Sequence, residues 1–491
     1  MVGIWVGNFA AFFNETTATT TMHAASQEFA KEQQMNWIAT SYLLGFTVTQ
    51  TLLGKLTDIF GRQTMFNSTL VVFFAGTLWC ALAQSMSSLI VARLLQGIGA
   101  AGRQTVGLII VLDTTTPLTR GTWLGLFNMS LSFGLAIGPY VGAVLSVHTT
   151  WRWTYWITLM LNAITFGIAV MFMRFPPTKG SIRSKLREVD YVGSVLVVGI
   201  AACICIAIEL GGQEYTWSSP FIVILFVAAA VLIPVFCYWE LFRARQPVVD
   251  LRLFKRWNIP FAVVLNFVCG AALFGSVFYL PKYFLNIKDA SLEATGLQML
   301  ALNVAAGISS VGGSQLISRT GRVRLIGVLG AALVCAGSAA MLAANETSPI
   351  GLALVLSILM GLGVGILYQP AVVVGPMSVQ PHEVAGISGF LSFIRTLGGT
   401  FATALLTSIF TTILKKDLQG VLPEDVLDTG LQLADHHAQY PEENSAIIAV
   451  MVKAFHIGYV PVIVFSVLYA VSVALLRNVD FVVKRTPASR V

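Results

Sequence analysis

The sequence predicts an all-α polytopic membrane protein. Three observations carry that reading: charge is scarce, apolar stretches are long, and the two ends of the chain repeat one another. Of 491 residues, 56% are hydrophobic and 11% charged, whereas soluble domains carry about 25% charge. Charge that sparse cannot coat the surfaces of the soluble domains this length would otherwise suggest.

A membrane-spanning helix needs about 20 mostly apolar residues, because the hydrocarbon is about 30 Å thick and a helix rises about 1.5 Å per residue. Fourteen segments meet that test: 3–25, 36–56, 65–84, 89–112, 121–145, 153–174, 191–210, 220–242, 259–285, 293–317, 325–344, 351–374, 386–413 and 456–477. The first follows Met1 almost at once and is expected to act as its own insertion signal. It is also the most polar, with Asn14, Glu15, Thr16, Thr17, Thr19, Thr20 and Thr21 near its middle, so it is expected to line a cavity rather than face lipid. The second runs into a glycine-bounded turn, the fourth carries Arg93, and the fifth carries a glycine stripe. The seventh and eighth are charged only near their ends, at Glu209 and Glu240, where interfacial anchoring suffices. The thirteenth carries Arg395.

Positive charge accumulates in short cytoplasmic loops. Loops after even-numbered segments, with the tail, hold 20 of the 30 Lys and Arg residues, the opposite loops hold seven, and Arg93, Arg103 and Arg395 lie inside spans. Both termini are therefore expected in the cytoplasm. The hydrophilic stretch 414–455, with seven carboxylates, is expected to be a solvated acidic outer loop, and Asn345-Glu346-Thr347 is a glycosylation sequon on another outer loop. All six cysteines lie in apolar stretches without a CxxC pattern, so neither disulfide framework nor metal site is indicated.

At an offset near 260 the chain matches itself. Gly61-Arg62 recurs as Gly321-Arg322, Gly97-x-Gly99 as Gly361-x-Gly363, Pro117 as Pro381, Gly125 as Gly389 and Gly134 as Gly398. The expected organisation is an N-terminal six-helix bundle (1–174), two additional helices with basic cytoplasmic loops (175–257), a C-terminal six-helix bundle (258–477) and a cytoplasmic tail (478–491). Repeats separated by an even number of helices run parallel, a plan found in secondary transporters with a midplane site.

Gly54-Lys55-Leu56-Thr57-Asp58-Ile59-Phe60-Gly61-Arg62 resembles the G-x-L-x-D-x-x-G-R motif of the major facilitator superfamily. Arg93-Leu94-Leu95-Gln96-Gly97-Ile98-Gly99 is similar to its R-x-x-Q-G-x-G motif. Gly134-x-x-x-Gly138-Pro139-x-x-Gly142 is similar to the antiporter signature of the fifth helix. Trp151-Arg152-Trp153, Asp190-Tyr191-Val192-Gly193 and Tyr279-Leu280-Pro281-x-Tyr283-Phe284 resemble signatures of the 14-helix drug:proton antiporter branch. The resemblance covers nearly the whole chain. It implies two parallel six-helix bundles plus two extra helices, alternating access, and a cytoplasmic gate at Gly54, Asp58, Gly61, Arg62 and Arg120.

An ionisable group at membrane depth is a functional candidate by default. The branch usually reads L-D-x-T in the first helix, where this chain reads Phe13-Asn14-Glu15-Thr16, so its acid stands one position, about 100°, further around the helix. Glu15 is the expected proton carrier. Arg93 cannot give up its proton and is expected to tune Glu15 as a fixed cation. Gly134, Gly138 and Gly142 share one helix face and invite another backbone close, and Pro139 removes one helix hydrogen bond. Asn14, Gln96, Asn303, Tyr368, Gln369 and Arg395 are the expected cavity residues.

The expected function is proton-coupled export of small amphipathic organic molecules: a drug, toxin or secondary metabolite. Alternatives within the superfamily are transport of basic amino acids into a vacuole, of a siderophore, or of organic acids; a flux-free sensor is more remote. With neither a G-x-x-x-x-G-K-[ST] loop nor H-E-x-x-H, and no nucleophile–His–acid cluster in an aqueous domain, an enzyme or nucleotide-driven pump is not expected, nor a cofactor. No basic domain suggests a nucleic-acid partner. The expected partners are substrate, protons and the bilayer, with a monomer in the plasma membrane or a vacuolar membrane.

Overall fold

The computed structural model describes residues 1–31, 34–173, 175, 185, 188–212, 215–244, 246–419 and 444–477. With no water in the bilayer core to bond a free peptide group, each crossing closes its hydrogen bonds within a helix. The described residues form fourteen long helices: α1 (Val2–Glu28), α2 (Asn36–Phe60), α3 (Arg62–Ala81), α4 (Met86–Thr114), α5 (Pro117–His148), α6 (Trp153–Phe172), α7 (Tyr191–Leu210), α8 (Pro220–Phe242), α9 (Asn258–Tyr279), α10 (Leu292–Thr320), α11 (Val323–Met341), α12 (Ile350–Met377), α13 (Val384–Asp417) and α14 (Asn444–Ala474). Twelve are long and apolar enough to cross a membrane; α1 and α2 have the length but are more polar.

Helices α1–α6 pack on one another through the pairs α1–α5, α2–α4, α3–α4, α1–α6 and α3–α6. Helices α9–α14 repeat the pattern as α9–α13, α10–α12, α11–α12, α9–α14 and α11–α14. The two sets meet along two seams, α5 on α10 and α2 on α13, and α7 packs on α8, α2 and α13.

Glycines explain why the same pairings recur. A side chain at Gly97 of α4 would collide with the Tyr42 carbonyl of α2, and one at Gly361 of α12 with the Leu302 carbonyl of α10. Gly99 meets Phe73 of α3 as Gly363 meets Val334 of α11, and Gly134 meets α1 at Phe9 as Gly398 meets α9 at Phe267. Gly125 abuts Val311 in one seam, while Gly389 abuts Gly54 in the other. Gly61 and Gly321 both adopt positive φ, at 90° and 66°, and turn the chain where β-carbons are disfavoured.

The structure differs from expectation over 414–455. Helix α13 continues to Asp417, α14 begins at Asn444, and Lys453 pairs with Asp417 at 2.7 Å. Ile447, Met451, Ala454 and Phe455 are buried; this spacing places them on one face that packs the first turns of α14 inward. Glu424, Asp425, Asp428, Asp435, Glu442 and Glu443 lie outside the described residues, as do the 478–491 tail and most of the basic stretch 174–187.

Gly97→Val and Gly361→Val should each lower stability by about 1–3 kcal/mol or more through overpacking, read as a lower melting temperature of the purified protein. Gly167→Ala, at a position with no neighbour within 4 Å of an added β-carbon, should leave melting unchanged or raise it. Equal melting for all three would refute the close-approach account.

Candidate functional site: a cavity between the two bundles

Helix α1 tolerates its threonines because their hydroxyls bond back into their own helix: Thr17 donates to the Phe13 carbonyl at 2.6 Å, Thr19 to Glu15 at 2.7 Å and Thr20 to Thr16 at 2.9 Å. Its opposite edge packs on the glycine stripe. Added β-carbons at Gly134, Gly138 and Gly142 would press on Phe9, Phe13 and Thr17 carbonyls at 2.8, 3.0 and 2.9 Å, so the fifth-helix motif fixes the position of α1. Pro139 lies within α5 beside Gly296 of α10.

Arg93 is fully buried, and two of its three guanidinium nitrogens donate to oxygen. Its Nε donates to the Ile38 carbonyl at 3.0 Å, and Nη1 donates to Asn14 Oδ1 at 2.8 Å and Gln96 Oε1 at 2.7 Å. The guanidinium lies 4.3 Å from the centre of the Tyr42 ring. Asn14 passes the chain on to Thr158 at 3.1 Å, and Gln96 to Thr77 at 2.8 Å. Arg93 thus bonds Asn14, the residue before Glu15. Both Glu15 oxygens are buried without a hydrogen-bond partner, as is Arg93 Nη2.

Glu15 and Arg93 line a cavity of about 360 Å³ between the two sets of helices. It reaches the helix ends at Asn36, Lys282 and Lys415, the face opposite the Asp58–Arg62 turn. Its apolar wall includes Met22, Leu43, Phe274 and Phe278; its other charges are Glu209 of α7, Lys282 and, at its end, Lys415 of α13. One face of α13 supplies Thr396, Thr400, Thr403, Thr407 and Thr411.

Toward the basic face both seams are shut. Gly54 and Gly389 touch backbone to backbone, Gly121 sits against Ser314 and Ser318, and Thr396 donates to Gln50 Oε1 at 3.2 Å, whose amide donates to Gln104 at 2.9 Å. Asn128 and Gln369 both donate to Ser310 Oγ, at 3.0 and 2.5 Å.

Several expected roles are corrected by this geometry. Asp58 pairs with Arg62 at 3.2 Å, and Arg62 reaches Asp113 of α4 at 2.7 Å, so these charges tie α2, α3 and α4 together rather than one half to the other. Arg120 is no partner of Asp58; it donates to the Leu112 and Thr115 carbonyls at 3.0 and 3.4 Å, closing the end of α4. Ser318, which stands where a second Asp58 would fall, lies in the seam against Gly121. Asn14, Gln96, Asn303, Tyr368, Gln369 and Arg395 are not among the cavity-lining residues. Arg395 is buried, bonded to Asn266 at 3.2 Å and stacked on Tyr368, Asn303 donates to the Met299 carbonyl of its own helix, and Gln369 is in the seam. Glu209, expected at the interface, lines the cavity instead, and Lys282, counted as a loop charge, does so too. The i, i+4, i+7 spacing of the α13 threonines was the available signal for that wall; nothing local marked Asp113, Glu209 or Lys282.

The signature residues at the helix ends have structural roles. Asp190 caps α7 by accepting from Gly193 N at 2.9 Å and also accepts from Trp239 at 2.9 Å. Glu28 accepts from Trp151 at 2.7 Å and pairs with Arg152 at 2.6 Å. Tyr283 donates to the carbonyl of Asn345, which is exposed.

Comparison with known proteins agrees with this architecture. An uncharacterised MFS-type transporter of Mycobacterium tuberculosis is 28% identical over 85% of the chain, and the chain spans 60% of that relative's length. The efflux pump dotC of Dothistroma septosporum is 27% identical over 85% of the chain and 71% of the pump. Among solved structures, the human organic anion transporter MFSD10 superposes with a TM-score of 0.59 at 15% identity, covering 97% of this chain and 98% of that one. A bacterial homologue of the human lysosomal transporter Spinster, inward-facing and occupied, gives 0.58 at 14% identity over 96% and 95%. The profile of the Major Facilitator Superfamily matches residues 4–403, and the chain, an integral multi-pass membrane protein, belongs to that superfamily.

Proposed function

We propose that the protein is a proton-coupled secondary active transporter that exports small amphipathic organic molecules by alternating access. The observation that carries this reading is the cavity between the two bundles, sealed toward the basic face, with the unpartnered carboxyl group of Glu15 in its wall. The efflux pump and MFS-type transporters among its relatives support export.

On this reading residues 1–174 and 258–477 are the two moving bundles, 175–257 an added pair of helices, and the basic face is cytoplasmic with both termini. The cavity is then open to the outside. A proton from that side neutralises Glu15, the cavity wall loses a negative charge and with it affinity for a bound cationic or polar group, and substrate leaves. When the seams toward the basic face part, the proton escapes and the restored charge on Glu15 readies the cavity for the next substrate. Arg93 stays charged throughout and keeps Asn14 and Gln96 in place, so the change of charge falls on Glu15 alone. The Asp58–Arg62–Asp113 bridge holds the basic ends of α2, α3 and α4 as one unit, so the bundle rocks without fraying. The plasma membrane is the expected site, with a vacuolar membrane the equivalent topology, and a single chain suffices.

Reconstituted in liposomes with a pH-sensitive dye inside, the protein should show substrate-dependent proton flux across a panel of lipophilic cations, neutral toxins, basic amino acids and organic acids. Glu15→Gln should abolish that flux while leaving substrate binding measurable. Flux that persists would move proton coupling to another residue, and substrate uptake without proton movement would replace antiport with facilitated diffusion.

Arg62→Gln should slow transport about tenfold or more, and Asp113→Asn should slow it in the same direction, with melting little changed because the partly exposed pairs contribute about 0–1 kcal/mol each. Wild-type rates in both variants would remove the bridge from the transport cycle.

A further inference from the structure

Glu209 belongs to neither bundle. It stands at the penultimate position of α7, where that helix lies across the seam, and shares a crevice with Thr40 and Leu43 of α2 and Thr400 of α13. The end of α7 is pinned there: Trp217 donates to Ser408 Oγ of α13 at 3.0 Å, and a side chain at Gly212 would meet the same oxygen at 2.8 Å. Among the described residues the Glu209 carboxylate has no hydrogen-bond or ion-pair partner.

Lys282 follows α9 in the Tyr279-Leu280-Pro281-x-Tyr283-Phe284 signature. Its ammonium donates to Thr407 Oγ1 at 3.2 Å and lies 5.4 and 5.0 Å from the Tyr279 and Phe410 ring centres. No described carboxylate comes within the 4.0 Å of an ion pair. A charge at this depth normally has a partner of opposite sign. Glu209 and Lys282 share the cavity, whose other charged residues are Glu15, Arg93 and Lys415, and they do not meet. They approach the threonine face of α13 at Thr400 and Thr407, seven residues apart, or about 10 Å along a helix.

We propose that the cavity selects amphipathic zwitterions, molecules with a basic nitrogen and an acidic group at opposite ends of a flat apolar body, the nitrogen taken by Glu209 and the acid by Lys282. This deepens the transport reading and rests on it. A purely cationic ligand would leave Lys282 unneutralised and a purely anionic one Glu209, whereas a neutral ligand would leave both. The apolar body has Phe274, Phe278 and Leu43 to lie against, and the α13 hydroxyls between the two charges supply the intermediate hydrogen bonds. Glu15 remains free for protons, so recognition and coupling fall on different carboxylates.

The test uses the full chain, purified in nanodiscs, and three intrinsically fluorescent probes with one aromatic body: norfloxacin, with its ring amine and carboxylate at opposite ends; its methyl ester, basic only; and its N-acetyl derivative, acidic only. Norfloxacin should bind most tightly. Lys282→Gln should weaken norfloxacin and the N-acetyl derivative about tenfold or more and leave the ester unchanged, with Lys282→Arg restoring binding. Glu209→Gln should weaken norfloxacin and the ester and spare the N-acetyl derivative. Equal binding of all three probes by the wild type, binding of none, or equal weakening of all three in either variant would overturn the proposal. Flux of the same probes in liposomes separates the two readings. Charge-selective binding without flux would retire transport and leave the recognition site, whereas flux indifferent to both substitutions would retire the site and leave transport.

Discussion

The arrangement of the cavity depends on how one guanidinium is satisfied. A buried guanidinium is held by the acceptors around it, and Arg93 finds them on three helices. It receives the Ile38 carbonyl from α2, Asn14 from α1 and Gln96 from its own helix, with the Tyr42 ring beneath. These contacts lock α1, α2 and α4 at one depth. Because Asn14 is neutral, the bonds consume no carboxylate, and Glu15 is left outside the network. An aspartate at position 14 would have paired with Arg93 directly; an asparagine there followed by glutamate separates the group that holds the cation from the group free to change charge.

That separation also shows where sequence reading stops. Helix number and order, the close-approach glycines and the turn at Gly61 are legible because hydropathy and glycine spacing are local properties that the bilayer and the neighbouring backbone act on directly. The repeat extends that legibility: Gly97 and Gly361 predict each other's contacts. The partner of Arg93 is not legible in the same way. Level in the membrane places Arg93 near both Asn14 and Glu15, and only the rotation of α1, set by Gly134, Gly138 and Gly142 on α5, turns Asn14 toward the arginine. The cavity wall is less legible still, since Lys282, Glu209 and the α13 threonines come from three stretches far apart in the chain. The early start of α14 was hidden because its apolar first turns, 447–455, follow directly on a hydrophilic acidic stretch and carry Lys453.

The two halves share a backbone plan but not an electrostatic one. On the N-terminal side, Asp58, Arg62 and Asp113 knit three helix ends together. On the C-terminal side, Ser318 is pressed into the seam, and the comparable ion pair is Arg256 with Glu383 at 2.9 Å, which joins the approach to α9 to the start of α13. The Gly54–Gly389 contact has no side chain between the helices, so it can part without breaking a charge pair. What holds the basic face shut is close packing plus a few neutral hydrogen bonds, each worth about 0.5–1.5 kcal/mol. A seam of that kind opens and closes with small differences in free energy, whereas ion pairs within each bundle preserve its internal shape.

The added helices alter this motion. In a twelve-helix plan, the α2–α13 seam would face lipid along its outer length. Here α7 lies over it, touching α2 and α13, and its end is tied to Ser408 by Trp217. On the alternating-access proposal, α2 and α13 slide apart at one end and together at the other as the bundles rock, and α7 cannot follow both. The Trp217–Ser408 bond ties the segment after α7 to α13, while α7 itself packs on both α2 and α13, with Thr40 and Leu43 of α2 beside it. Glu209 sits at that junction of α2, α7 and α13. On the alternating-access proposal, a ligand group held by Glu209 would touch both sides of the α2–α13 seam, so movement of one bundle against the other would alter its hold.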